Sequence, residues 1–320
     1  MFRTSSARSP LAAAGALLLT VALAACGAPT DATSASGSSD AAGGFPVTVT
    51  SGTSDSTTTV TIDSQPEAIV SLSPTATESL FAIGAGEQVV AVDDQSNYPE
   101  EAPVTDLSGY QPNVEAILNY SPDLVVTSSD DPDTTASLEN AGVPTLVLPS
   151  ATNLDEAYDE IDRLGQATGN DEAADSLVED MRSKIEAAVA AAPDVTDATY
   201  FHELDPTLFT VSSNTFLGEI YGLFGLQSIA DASDGDDYPQ LSEEYVVQAN
   251  PDAIFLADAQ CCGVTADQVA GRAGWSEVTA VQDDHVFVVD ADIASRWGPR
   301  IVDYVEAVGE YVAELNPDKA

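Results

Sequence analysis

Residues 68–86 read AIVSLSPTATESLFAIGAG, and this stretch decides the fold. The apolar run at 68–72 predicts a short buried strand. Ser73-Pro74-Thr75 then turns the chain, and Thr75 with Glu78 reads as a capping box opening a helix that runs to Ile83. A strand that turns directly into a helix begins a β-α unit, and the pattern continues downstream. Residues 89–92 predict a second strand. Glu115 leads a short helix that stops before Pro122-Asp123, 124–126 predicts a strand, 134–141 a helix and 144–148 a strand. Strands alternating with helices predict an α/β fold with a mostly parallel sheet. Upstream, the β-branched run at 47–62 predicts a hairpin turning at 51–56.

The second half repeats the order. Residues 208–211 predict a strand, 212–214 a turn and 215–224 a helix with Gly225 at its cap. Glu244 then precedes Pro251-Asp252 and the apolar strand 253–256, with the spacing that separates Glu115 from Pro122. Each Glu has a tyrosine upstream, Tyr110 and Tyr238. Two similar lobes are therefore expected, 46–152 and 193–320. The helical stretch 153–192 joins them; its second helix, about 20 residues or ~30 Å at 1.5 Å per residue, predicts a stiff strut and little lobe motion.

The N-terminus predicts an address. Arg3 and Arg8 precede an uncharged run at 11–25, too short for a spanning helix, so 1–25 is expected to be a signal peptide. It ends in Leu23-Ala24-Ala25-Cys26, which resembles a bacterial lipobox, and predicts acylation of Cys26. A Gly/Ala/Ser/Thr-rich tether follows to residue 45. Localisation is then extracytoplasmic, with the cell membrane touched through the lipid alone. Of the three cysteines, Cys261 and Cys262 remain, either as a vicinal disulfide or as two packed thiols.

The formal charge of −44 excludes a nucleic-acid partner. No Lys, Arg or His occurs between Arg8 and Arg163, so the first lobe has no fixed cation to receive an anionic ligand. Enzyme signatures are lacking: His202, Asp205 and His285 belong to no nucleophile elbow, phosphate loop or zinc motif. The acidic 231–237 stretch has Ser242 where a calcium loop needs Glu, and reads as a solvated turn.

Residues 68–86, the Asn97-Tyr98-Pro99 loop, the paired Glu-to-Pro-Asp blocks and Ser295-Arg296-Trp297-Gly298-Pro299-Arg300 together resemble the helical-backbone (class III) periplasmic substrate-binding proteins. That family delivers ferric siderophores or cobalamin to ABC importers. The resemblance implies two lobes on a rigid helix, a monomer with no cofactor or resident metal, no catalysis, and a metal chelate as ligand between the lobes. It places Tyr98, Tyr110 and Tyr238 against the ligand, and it implies that Glu115 and Glu244 dock onto arginines of the permease dimer that works with a cytoplasmic ATPase. Loops at the carboxyl ends of parallel strands form such clefts, which adds Ser73, Thr75, Arg296, Trp297 and Arg300 as candidate ligand contacts. Arg300, expected in the first turn of the last helix, would pair with Asp290, Asp292 or a polar ligand group. Arg296 and Trp297 would grip a chelate rim or pack the last helix. The cation-free first lobe favours a neutral or cationic chelate, a corrinoid or ferric hydroxamate, over haem; a ligand-sensing lipoprotein is the other reading.

Overall fold

Both sheets are parallel and share one strand order. In a computed structural model describing residues 44–52, 56–193, 195, 197–233 and 236–315, the first contains β3 (Ile69–Leu72), β4 (Val89–Val92), β5 (Leu124–Thr127) and β6 (Thr145–Val147), ordered β4-β3-β5-β6. The second contains β7 (Thr199–Glu203), β8 (Gln227–Ser228), β9 (Ala253–Leu256) and β10 (Val286–Val288), ordered β10-β9-β7-β8. Numbered within its own lobe, each sheet runs second, first, third, fourth. The strands β3, β5 and β9 are buried along their whole length, as parallel strands covered by helices on both faces must be. An antiparallel hairpin, β1 (Val47–Gly52) with β2 (Thr57–Ile62), packs beside β6, where Ser51 Oγ accepts from Val147 N at 2.9 Å.

Helices α1 (Pro74–Ala82), α2 (Val114–Leu118) and α3 (Pro132–Asn140) belong to the first lobe. The second holds α6 (Phe216–Gly222), α7 (Glu243–Ala249), α8 (Ala259–Cys262), α9 (Ala266–Ala270), α10 (Thr279–Gln282) and α11 (Ala291–Ala294). Between them run α4 (Leu154–Thr168) and α5 (Asp171–Ala191), separated at Gly169, whose φ of 75° lets the chain reverse at little steric cost. Helix α4 packs on α1 and β1, while the long α5 packs on α4 and on α12 (Ile301–Leu315). The connecting helices thus touch both lobes, α4 the first and α5 the second through α12. Ile301, Val305, Val308 and Val312 of α12 are fully buried and form its apolar face.

Three expectations need correction. The first strand of the second lobe is Thr199–Glu203, not 208–211; residues 208–212 instead run beside 237–241, with Phe209 bridging Gln240. Helix α1 is capped by Ser73, whose Oγ accepts from Ala76 N at 3.3 Å with Pro74 at the first helical position, so Thr75 and Glu78 form no capping box. Arg300 precedes α12 and pairs with neither Asp290 nor Asp292, because Glu78 takes it. The signal peptide, Cys26 and the tether to residue 43 lie outside the described residues.

Candidate functional site

The repeated Pro-Asp has a local task. Asp123 accepts from the backbone N–H groups of Glu67 and Ala68, at 2.8 and 3.0 Å, and so anchors the start of β3. Asp252 does the same for β7, accepting from Thr199 N at 2.8 Å and Thr199 Oγ1 at 3.0 Å. The glutamates upstream have equivalent seats. Glu115 is the second residue of α2 behind the Asn113 cap, and Glu244 the second of α7 behind the Ser242 cap; both are exposed.

The loops leaving the carboxyl ends of the two sheets converge. Asn97, after β4, donates from Nδ2 to Asp292, after β10, at 2.7 Å. Beside this contact lies a buried charge cluster. Glu78 on α1 accepts from Arg296 Nη1 at 2.7 Å and from Arg300 Nε at 2.9 Å, and its side chain is 1% exposed. Arg296 also donates to Asn97 Oδ1 at 2.8 Å and Gln95 O at 3.0 Å. The Arg300 guanidinium lies 4.3 Å from the centre of the Tyr98 ring. Trp297 Nε1 donates to Glu160 of α4 at 2.7 Å, and burial pushes that carboxyl up to about 8.

The structure therefore brings Tyr98, Arg296, Trp297 and Arg300 together at the lobe junction. Ser73 and Thr75 are buried at the start of α1, beneath the 296–300 segment, where a Cβ on Gly298 would lie 3.4 Å from Thr75 O, an ordinary contact. Tyr98 faces a recess of about 360 Å³ lined by Phe81, Pro99, Glu101, Pro299 and Asp303. Tyr110 and Tyr238 stand apart from it, 91% and 56% exposed, on the carboxyl-end loops of the first and second lobe. Phe209, 38% exposed beside the 237–241 segment, is a further aromatic here, at a position where the sequence predicts a strand over 208–211.

At the carboxyl ends of β7 and β9 sits a second buried cluster. Arg272 grips Glu203 with both terminal nitrogens, one bond being 2.6 Å, and lies over the Trp275 ring at 4.6 Å. Burial first, and then the neighbouring Glu203 carboxylate, push Asp258 up to about 7. Just beyond it Cys261 and Cys262 are joined as a vicinal disulfide on the exposed α8, which Gln260 ties to α11 through Ala291 N at 2.9 Å. His202 is fully buried, which pushes its imidazole down to about 3, and the neutral ring bonds Tyr221 Oη at 2.8 Å. Such a histidine is a core residue. Asp231 accepts from Ser213 N and Oγ, at 2.8 and 2.6 Å, and so serves as a turn clamp. Among the described residues every Lys and Arg is held in an ion pair.

Two α/β lobes of identical strand order, a pair of connecting helices that packs on both, and carboxyl-end loops meeting between them define a bilobal binding protein with a rigid spine. The chain belongs to the periplasmic binding protein family, whose model matches residues 69–293. It is similar to an uncharacterized ABC transporter substrate-binding lipoprotein of Bacillus subtilis, YvrC, at 34% identity over 93% of this chain and 95% of that one. It is 33% identical to a cobalamin-binding protein of Halobacterium salinarum, over 82% of this chain and 73% of the relative. The crystal structure of the periplasmic vitamin B12 binding protein BtuF of Vibrio cholerae superposes with a TM-score of 0.65 at 29% identity, covering 78% of this chain and 97% of that one. The chain is thus a substrate-binding component of ABC transport and not an enzyme. No helix among the described residues is long and apolar enough to cross a membrane.

Proposed function

We propose that this chain is a lipid-anchored, extracytoplasmic binding protein that captures a corrinoid, with a ferric hydroxamate as the second ligand class, and hands it to an ABC permease dimer. The observation that carries the reading is the chemistry of the carboxyl-end loops. Tyr110, Tyr238 and Phe209 offer exposed rings, while the cations of the described residues are all engaged in ion pairs. Broad rings with hydrogen-bonding tips suit a large, flat, uncharged chelate, and an anionic one would find no free guanidinium. Relatives named as cobalamin-binding and vitamin B12-binding support the corrinoid. The Cys26 lipobox and the lipoprotein relative support the anchor.

Fluorescence quenching of the purified protein with cyanocobalamin, ferrioxamine, ferrichrome and hemin tests this, cyanocobalamin being expected to bind tightest. Replacing Tyr110 or Tyr238 by Ala should weaken binding by about 0.5–1.5 kcal/mol beyond the lost area. Tight hemin binding with no response to cyanocobalamin or the hydroxamates would overturn the ligand. Docking rests on Glu115 and Glu244, one exposed anion at the same seat on each lobe. Two separated anions meeting two permease cations set orientation and speed encounter, though each pair contributes only about 1 kcal/mol or less. Glu115→Arg with Glu244→Arg should abolish uptake in cells and leave the affinity of the purified protein intact; normal uptake would remove the docking role.

A further inference from the structure

Arg296 and Arg300 come from the second lobe, and Glu78 from the first. We propose that Glu78 is a positioning residue for ligand capture: by clasping both arginines it fixes the gap between the lobes, and the two arginines serve the junction instead of the ligand. Both guanidinium groups are engaged at the junction. Arg296 places Nη1 on Glu78 and Asn97, and Nη2 on Gln95 O, with Asp292 at 3.6 Å. Arg300 commits Nε and Nη2 to Glu78 and its face to Tyr98.

Burial makes the clasp hard to open. Glu78 is 1% exposed and Arg296 8% exposed, so the charges are paired away from water, and parting the lobes here must pull a carboxylate away from two guanidinium groups. The first-lobe side is itself braced. Ser96 Oγ bonds Asp93 Oδ1 and Thr77 Oγ1, and Thr77 bonds Ser71, which fastens the 93–97 loop to α1 and β3. Trp297, bonded to Glu160, adds a tie between the same segment and α4. With α5 packed on both α4 and α12, the lobes are joined at two separate places, and a hinge motion must break the ion cluster as well as bend the spine.

The affinity arm of the test rests on the ligand reading above, whereas the exchange arm does not. In the full chain, Glu78→Gln should speed amide hydrogen exchange at least tenfold in 95–98 and 296–303 while β5 and β9 exchange as in the wild type. A merely stabilising role would raise exchange in those core strands too, and that result, or unchanged exchange at the junction, overturns the proposal. Should Glu78→Gln fail to fold, Arg300→Lys keeps the charge and removes the Nε bond; the same segments should quicken less, and no change there counts equally against it. Cyanocobalamin affinity should fall about tenfold with the junction loosened, and an affinity within twofold of wild type would refute the positioning role. If wild type binds none of the four probes, the ligand reading fails and exchange alone decides whether Glu78 holds the lobes.

Discussion

Glu160 shows how tertiary packing sets the chemistry of one residue. It lies on the polar edge of an amphipathic helix, yet the second lobe closes over it, Trp297 donates to it, and burial raises its carboxyl from 4.5 to about 8. The native state therefore holds a proton at pH 7 that the unfolded chain has released. An acid raised in this way favours the folded state at low pH, and that contribution is lost as pH climbs from about 4.5 towards 8. Glu160→Gln, which keeps the hydrogen bond without the charge, should gain on wild type by up to about 1.4 kcal/mol per pH unit across that window. Thermal melts from pH 5 to 8.5 check it, and parallel stability curves for the two proteins would contradict the assignment. Asp258, raised to about 7 by burial and Glu203, should add a dependence of the same sign.

At the scale of elements the repeat was legible, and its register only in part. The Pro-Asp pairs were visible in sequence, and the structure explains them as clamps on the first strand of each lobe. Asp123 binds the backbone just ahead of β3, and its counterpart Asp252 binds Thr199 at the start of β7. The strand was missed because Thr199–Glu203 carries His and Glu at its end, whereas 208–211 has the more strand-like composition. Both polar side chains are nonetheless fully buried, His202 against Tyr221 and Glu203 against Arg272. Removing the clamps should be unequal. Asp123→Ala loses exposed bonds and should cost about 1 kcal/mol, while Asp252→Ala loses partly buried ones and should cost about 1.5–3 kcal/mol. Urea unfolding midpoints measure both; a larger cost at Asp123 would argue against the burial reasoning.

For the whole molecule, a spine on one side and an ion cluster at the junction predict a preformed cleft. Small-angle scattering with and without cyanocobalamin should give nearly equal radii of gyration, and a marked contraction would show that the spine or the cluster yields. The sequence by itself determined the α/β class, the two lobes, the connecting helices and the lack of any cation in the first lobe, because strand and helix periods and charge counts are local properties of the chain. It also marked Tyr110, Tyr238, Glu115 and Glu244 as matched pairs. Only the tertiary structure decided what Glu78 does. Its spacing from Thr75 suggested a cap, but its partners lie 218 and 222 residues away, and no local pattern encodes a contact made by closing one lobe on another. The same reason holds for Arg296, Trp297 and Arg300: their residue types announced polar chemistry, and the packing of the lobes settled that the two arginines meet Glu78 of the first lobe and Trp297 meets Glu160 of α4.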